Sequence, residues 1–241
     1  MKKRLSEPLV QYLIFLGGLA LFAVLFFVAP WMDKTLVYSV DDGLAMASTS
    51  PVVPPPPPKP KHIETPKPLK AIYMSSWVAG TPSVRNGLIK LVEETEINAV
   101  VIDVKDYTGH ISFAVNNPEL ARYDSADPSR IKDIDALIAE LHDKNIYAIA
   151  RVAVFQDDFL ARKRPDLAVK RASTGGIWLD NKKIAWLDTA SPEAWKYSLL
   201  VAQEAADRGF DEINFDYIRF PSDGPVSDAS YPHYRPSEET K

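Results

Sequence analysis

The stretch DEINFDYIRFPSDG, Asp211 to Gly224, decides the fold. Ile213, Phe215 and Tyr217 alternate with Glu212, Asn214 and Asp216, the period of a strand that lays one face on a core. Asn214 and Asp216 therefore share the opposite face. Pro221, Ser222, Asp223 and Gly224 then break the strand with turn residues. A carboxylate and an amide are costly to bury alone, so that face calls for ion pairing, a solvated cleft, or both.

Working outward, strands and helices alternate from Lys70 onward. Ala71 to Trp77 reads as a short strand, and Thr81-Pro82-Ser83 opens a helix with Leu88, Ile89, Leu91 and Val92 on one face. Asn98 to Lys105 is a second strand, rich in β-branched residues. Asp127-Pro128 offers an N-cap and N1 proline for a helix with the stripe Ile131, Ile134, Leu137, Ile138 and Leu141, closed by Asn145. Ile146 to Phe155 is the third strand. A short helix is expected near Asp158 to Arg164, and IWL and IAWL flank Asp180 to Lys183 as a hairpin. Ser191-Pro192-Glu193 starts a helix with Trp195, Leu199, Ala202 and Ala206 on one side and Gly209 as its stop. The opening stretch is the fourth strand. This order predicts βαβ units and a parallel sheet, either doubly wound or closed as a barrel.

In such folds the chemistry gathers at the carboxyl ends of the strands. If Val100, Ile102 and Val104 meet helices, Asp103 and Lys105 turn inward. Arg151 projects from an otherwise apolar third strand, and Asn214 and Asp216 from the fourth. These charges form either an internal ion network or a catalytic cluster. Asp106, Asp188 and Asp223 fit turns or caps. His110, His142 and His233 lack metal-ligand spacing, and His142 reads as an exposed helix position, so no metal and no cofactor is expected. Trp77, Trp178 and Trp186 suit core packing or sugar stacking equally. A phosphate-cradling glycine loop, a G-x-S-x-G elbow and a zinc motif are all missing from the sequence.

VVIDVKDYTGHISF, IYAIARVAVFQDDFLARKRPDLAVK, IAWLD and GFDEINFDYIRFPSDG together closely resemble a bacterial family of "putative glycoside hydrolase" domains, long filed as a domain of unknown function and assigned a TIM-barrel fold. The resemblance runs from about Lys70 to Gly224. It implies an α/β chain forming the N-terminal half of a (β/α)8 barrel, in four βα units, with Asp216 as the fourth-strand catalytic carboxylate. By similarity Asp216 would be the nucleophile, although other barrel glycosidases put the acid on that strand. Asp103, Lys105, Arg151 and Asn214 would hold sugar hydroxyls or tune Asp216, helped by Arg219 and Asp223 from the following loop. A whole barrel takes eight strands and about 250 residues, whereas the region 70–241 supplies four. The second carboxylate and the C-terminal half of the barrel are accordingly expected beyond Lys241, and the fragment alone is expected to be inactive and poorly soluble.

Composition narrows the setting. The 241 residues are 46% hydrophobic, enough for a sizeable core, and the formal charge of -4 leaves no basic field for nucleic acid. No cysteine is present, which excludes disulfides and thiolate chemistry. Lys2, Lys3 and Arg4 precede an uncharged run from Leu9 to Ala29, and a membrane-spanning helix takes about 20 such residues. Positive charge on the N-terminal side keeps that end in the cytoplasm. The expected organisation is a cytoplasmic segment over 1–8, a membrane anchor over 9–30, a proline-rich extracytoplasmic linker over 31–69 and the partial barrel over 70–241. A cleaved signal peptide ending near Ala45-Met46-Ala47 is the rival reading. Half of the residues from Pro51 to Pro68 are proline, which suits an extended polyproline II stalk, or else a ligand for proline-binding domains.

The sequence thus points to a membrane-anchored glycosidase whose domain lies outside the cell membrane, acting on a cell-wall or extracellular polysaccharide. A non-catalytic carbohydrate-binding or envelope-scaffolding module is the alternative. A divalent-metal hydrolase built on Asp103 and Asp216 is a third reading.

Overall fold

The computed structural model describes residues 60–235, within a unit that begins at Pro57. The expected anchor and most of the expected linker lie outside the described residues. Among the described residues no helix is long and apolar enough to cross a membrane.

Four parallel strands lie side by side in sequence order: β1 (Ala71–Met74), β2 (Ala99–Lys105), β3 (Tyr147–Ala153) and β4 (Glu212–Asp216). Parallel neighbours need crossover connections. These contain α1 (Ser76–Ala79) and α2 (Pro82–Glu94), then α3 (Pro118–Ala121) and α4 (Ile134–Asp143), then α5 (Asp158–Lys163) and α6 (Pro192–Asp207). Lys170–Arg171 and Ala229–Ser230 form a separate two-stranded antiparallel pair.

One face of the main sheet carries the core. Met74, Val100, Ile102, Ala148, Ala150 and Val152 are buried there in one cluster with Ile89 and Val92 of α2, Leu137 and Leu141 of α4, and Tyr197 and Val201 of α6. The opposite face holds a small apolar patch of Ala99, Tyr147 and Ile149, against which Ile63 packs. Doubly wound sheets reverse their strand order and carry helices on both faces. Sequential order with helices on one face is the singly wound arrangement, consistent with part of a barrel.

Local chemistry sets the element ends. Ser75 caps α1 by accepting the Val78 N–H, so the first strand stops at Met74 instead of running to Trp77. The helix expected from Asp127 begins at Ile134, capped by Asp133. Asp127 instead accepts hydrogen bonds from Ser129 and Arg130, and Ile131 is buried from the preceding turn. Ser191 caps α6 as expected. Its packed side, however, is Ala194, Tyr197, Val201 and Ala205, while Trp195 and Leu199 are exposed. Both stripes are apolar, so periodicity alone could not choose between them. Across the hairpin, Leu179 bridges Ala185 antiparallel.

The segment before β1 packs across the amino-terminal ends of the strands. Ile63 N–H donates to Asp211 Oδ1 at 2.7 Å, and Asn98 holds both the Pro68 carbonyl and the Lys70 N–H at 2.9 Å. Asp211 Oδ2 also accepts the Ala148 N–H at 2.8 Å and lies 3.1 Å from His142 Nε2. His142 is thus mostly buried against a carboxylate, not an exposed helix position. The final residues of the expected linker span lie against the fold.

The alternation predicted for β2 fails at its last residue. Asp103 pairs with Arg151, and then Lys105 pairs with Val152. One extra residue therefore sits in β2, and such a bulge reverses the face of whatever follows. Lys105 is turned to the helix face. Its side chain is fully buried, with Nζ 2.7 Å from Asp157 Oδ2 and 5.3 Å from the centre of the Tyr197 ring. It neither reaches the open face nor touches Asp216, which corrects the substrate-holding role expected for it. Asp157 also caps α5 through the Leu160 N–H. A Cβ at Gly109 would lie 1.9 Å from Asp157 Oδ1, so only glycine lets this loop approach.

Breaking a buried pair strands the remaining charge, typically at a cost of about 3 to 5 kcal/mol. Asp157→Asn keeps a capping oxygen but removes Lys105's counter-charge, and urea denaturation is expected to show a loss of that size. Stability within about 1 kcal/mol of wild type would mean that the pair does not hold this end of the sheet.

Candidate functional site

Three strands bring one residue each to the same level of the open face. Asp103 of β2, Arg151 of β3 and Asn214 of β4 are in register, and Asp216 lies two residues beyond Asn214 on the same side. Arg151 stands between two carboxylates. Its Nη1 donates to Asp103 Oδ1 at 2.7 Å, while its Nε and Nη2 donate to Asp216 Oδ2 at 2.9 and 2.6 Å. Asp103 Oδ2 accepts the Tyr73 hydroxyl from β1, and Asp216 Oδ1 accepts the Tyr217 N–H at 2.6 Å.

Exposure rises along this network. The Asp103 side chain is 5% exposed, that of Arg151 21% and that of Asp216 44%. The buried end is fully paired, and the accessible end is the Asp216 carboxylate. Partial burial works against ionising Asp216. The hydrogen bonds from Arg151 and the Tyr217 N–H, with the charges of Arg151 and Arg219, outweigh it and hold this carboxyl below the ordinary aspartate range. Burial also opposes the charge on Arg151, but its bonds to Asp103 and Asp216 push its pKa above the ordinary range. Tyr73 is pushed up to about 12, first by burial and then by its bond to Asp103.

Tyr217 turns the chain away from β4 with φ of 56°. The centre of its ring lies 5.8 Å from the Arg151 guanidinium, 5.3 Å from that of Arg219 and 5.9 Å from the Trp186 ring. Arg219 also packs over Trp186 at 5.2 Å and donates to Ser222 Oγ at 2.7 Å. The structure therefore brings together Asp103, Arg151, Asn214 and Asp216, and sets Arg219 beside them through Tyr217. Asp223 remains in the following loop, half-buried, with no hydrogen bond to the network.

Other candidates fall into place. Asp106 accepts the Thr108 N–H, and Asp188 accepts the Ala190 N–H, both as turn formers. Trp178 and Trp186 are buried in the core, whereas Trp77 is exposed. Among the described residues no group of three or more His, Asp or Glu side chains could hold a metal ion. Sequence reasoning missed Tyr73, Tyr217 and the placement of Trp186. Extending the strand alternation back to β1 would have put Tyr73 on the open face. Tyr217, by contrast, leaves the strand through a positive φ that its side chain does not announce.

Residues 71–241 match the family model described as "Putative glycosyl hydrolase domain", and the chain belongs to that family. It is similar to the crystal structure of a hypothetical protein from Ruminiclostridium thermocellum ATCC 27405, with 36% identity, 67% of this chain and 82% of that chain covered, and a TM-score of 0.62. More distant matches include an alpha-galactosidase from Lactobacillus brevis, with 18% identity, 60% of this chain and 20% of that chain covered, and a TM-score of 0.43. The Flavobacterium johnsoniae chitobiase is 12% identical, with 62% of this chain and 24% of that chain covered and a TM-score of 0.46. The chain spans about a fifth to a quarter of these two enzymes. No curated protein matches it in sequence.

Chemically, the cluster presents one accessible anion braced by a fixed cation. Asp216 can accept a proton or attack an electrophile, but a carboxyl held ionised is a poor acid at neutral pH. Its folded pKa is lowered, so the stability it contributes is complete above the ordinary aspartate range. That stability fades as pH falls through the lower folded value. Because Asp216 is well exposed, this contribution is at most about 1 kcal/mol. Carboxyl-detected NMR titration is expected to find Asp216 below the ordinary aspartate value of 3.8 and to show it rising in Arg151→Gln. An unchanged midpoint in that variant would remove Arg151 as the cause.

Proposed function

We propose that this chain carries the nucleophile side of a glycoside hydrolase active site, with Asp216 as the attacking carboxylate. The observation that carries the reading is the double donation of Arg151 to Asp216 Oδ2 at the open, carboxyl end of the sheet. Glycoside hydrolysis needs one carboxyl group to protonate the leaving oxygen and a second to act as nucleophile or base. Asp216 fits the anionic role. Asp103 does not fit the acid role, because it is nearly buried and its two oxygens are engaged by Arg151 and Tyr73. The proton donor is therefore a carboxyl group other than Asp103 and Asp216. Asn214, exposed beside Asp216, and Arg219 are placed to meet sugar hydroxyls.

Membership of the glycosyl hydrolase domain family supports a carbohydrate substrate. The sequential strand order and one-sided helices support reading β1 to β4 as consecutive strands of a (β/α)8 barrel. The uncharged run over 9–30 and the proline-rich stretch after it support an anchored, outward-facing domain acting on a cell-wall or extracellular polysaccharide.

One observation favours a second reading. Both Asp216 oxygens already accept donors within the protein, as they would in a purely structural ion network. A non-catalytic carbohydrate-binding or scaffolding module would use the same face without bond cleavage. The test is Asp216→Asn in the full-length protein. Hydrolysis is expected to fall at least about a thousandfold while thermal stability changes by no more than about 1 to 2 kcal/mol. Retained hydrolysis would move the catalytic role elsewhere, and a large loss of stability would favour the structural network.

A further inference from the structure

We infer that Trp77 is a preorganised stacking platform for a pyranose ring, forming a sugar-binding subsite on the β1 side of the Asp216 cluster. The inference rests on the glycoside reading above and assigns it a specific contact.

Trp77 belongs to α1, the single turn that follows β1, and is 58% exposed. Isolated exposed apolar side chains are common and need no explanation. What sets this one apart is how it is held. The Arg130 guanidinium lies 5.2 Å from the ring centre and is itself held by three side chains. Its Nε donates to Asp127 Oδ2 at 3.0 Å, its Nη1 to Asp106 Oδ2 at 2.9 Å and its Nη2 to Thr108 Oγ1 at 3.0 Å. The Arg130 side chain is only 6% exposed. A cation over an aromatic ring is attractive, so one side of the indole is braced while more than half of the residue stays open to solvent.

The backbone is fixed as well. Ser75 caps α1, and the Thr81 hydroxyl donates to the Trp77 carbonyl at 2.7 Å. Gly80, just after α1, lets the turn abut the Arg130 loop. A Cβ there would sit 1.6 Å from the Arg130 carbonyl oxygen, a distance no side chain could accommodate. The α1 turn is thus locked onto the loop that supplies the cation.

The platform also connects to the candidate site. Trp77 lies just beyond the carboxyl end of β1, four residues after Tyr73, and Tyr73 donates to Asp103 of the Arg151–Asp216 network. Pyranose rings present an apolar face of C–H groups, and a rigid aromatic surface binds such a face with little ordering cost. The indole contributes through the apolar face of a sugar ring and supplies no charge of its own.

The test is titration of the full-length protein with cellohexaose, chitohexaose and maltohexaose, followed by tryptophan fluorescence and calorimetry. At least one hexasaccharide is expected to quench the fluorescence. Trp77→Ala is expected to weaken its binding by about tenfold or more, and Trp77→Phe, which keeps a ring in place, by less than about threefold. Since Trp77 is mostly exposed, both variants should melt within a few degrees of wild type. A hexasaccharide that binds Trp77→Ala as tightly as wild type would overturn the platform and leave the glycoside reading standing. Failure of the wild-type chain to bind any of the three would also overturn the platform. The glycoside reading is decided separately by the hydrolysis assay on Asp216→Asn.

Discussion

The site depends on one shared guanidinium. Arg151, on the central β3, lies between carboxylates from the strands on either side and donates to both. Asp103 is nearly buried, and an unpaired carboxylate there would be strongly unfavourable. Arg151 removes that penalty and in the same act fixes the accessible Asp216 as an anion. The network also ties β2, β3 and β4 together at the end where barrel enzymes place their chemistry. Fold stability and site electrostatics therefore rest on the same side chain.

The single bulge in β2 decides which charges reach the site. Without it, Lys105 would stand beside Asp103 on the open face and compete with Arg151 for the same carboxylates. The extra residue sends Lys105 to the helix face, where Asp157 and Tyr197 enclose it. Two ion networks thus lie on opposite faces near one end of the sheet. The Lys105 network is closed and structural. The Arg151 network opens toward solvent at Asp216.

Much of this was legible in the sequence because strand alternation is a strong, local signal. The four strands, the helix starts at Pro82 and Pro192, and the shared face of Asn214 and Asp216 all follow from period and capping chemistry. What escaped was of a different kind. A bulge at Lys105 depends on pairing with β3, which no local pattern of β2 encodes. The packed side of α6 was ambiguous because Trp195 and Tyr197 head two apolar stripes, and only tertiary packing selects Tyr197. Asp127 and Asp133 are both competent N-caps, and Arg130 draws Asp127 away from that role. The burial of His142 follows from Asp211, 69 residues away in sequence, a contact that spacing arguments cannot reach.

A carboxylate kept ionised, half exposed and at a strand's carboxyl end is suited to attack an anomeric carbon, and this is the central claim for Asp216. The most direct measurement is peptide mass spectrometry of the full-length protein after incubation with 2-deoxy-2-fluoroglycosyl fluorides, which accumulate the covalent glycosyl-enzyme of a retaining glycosidase. One glycosyl adduct is expected, carried on Asp216. An adduct on another carboxylate, or steady hydrolysis of the matching glycoside with no adduct at all, would contradict it.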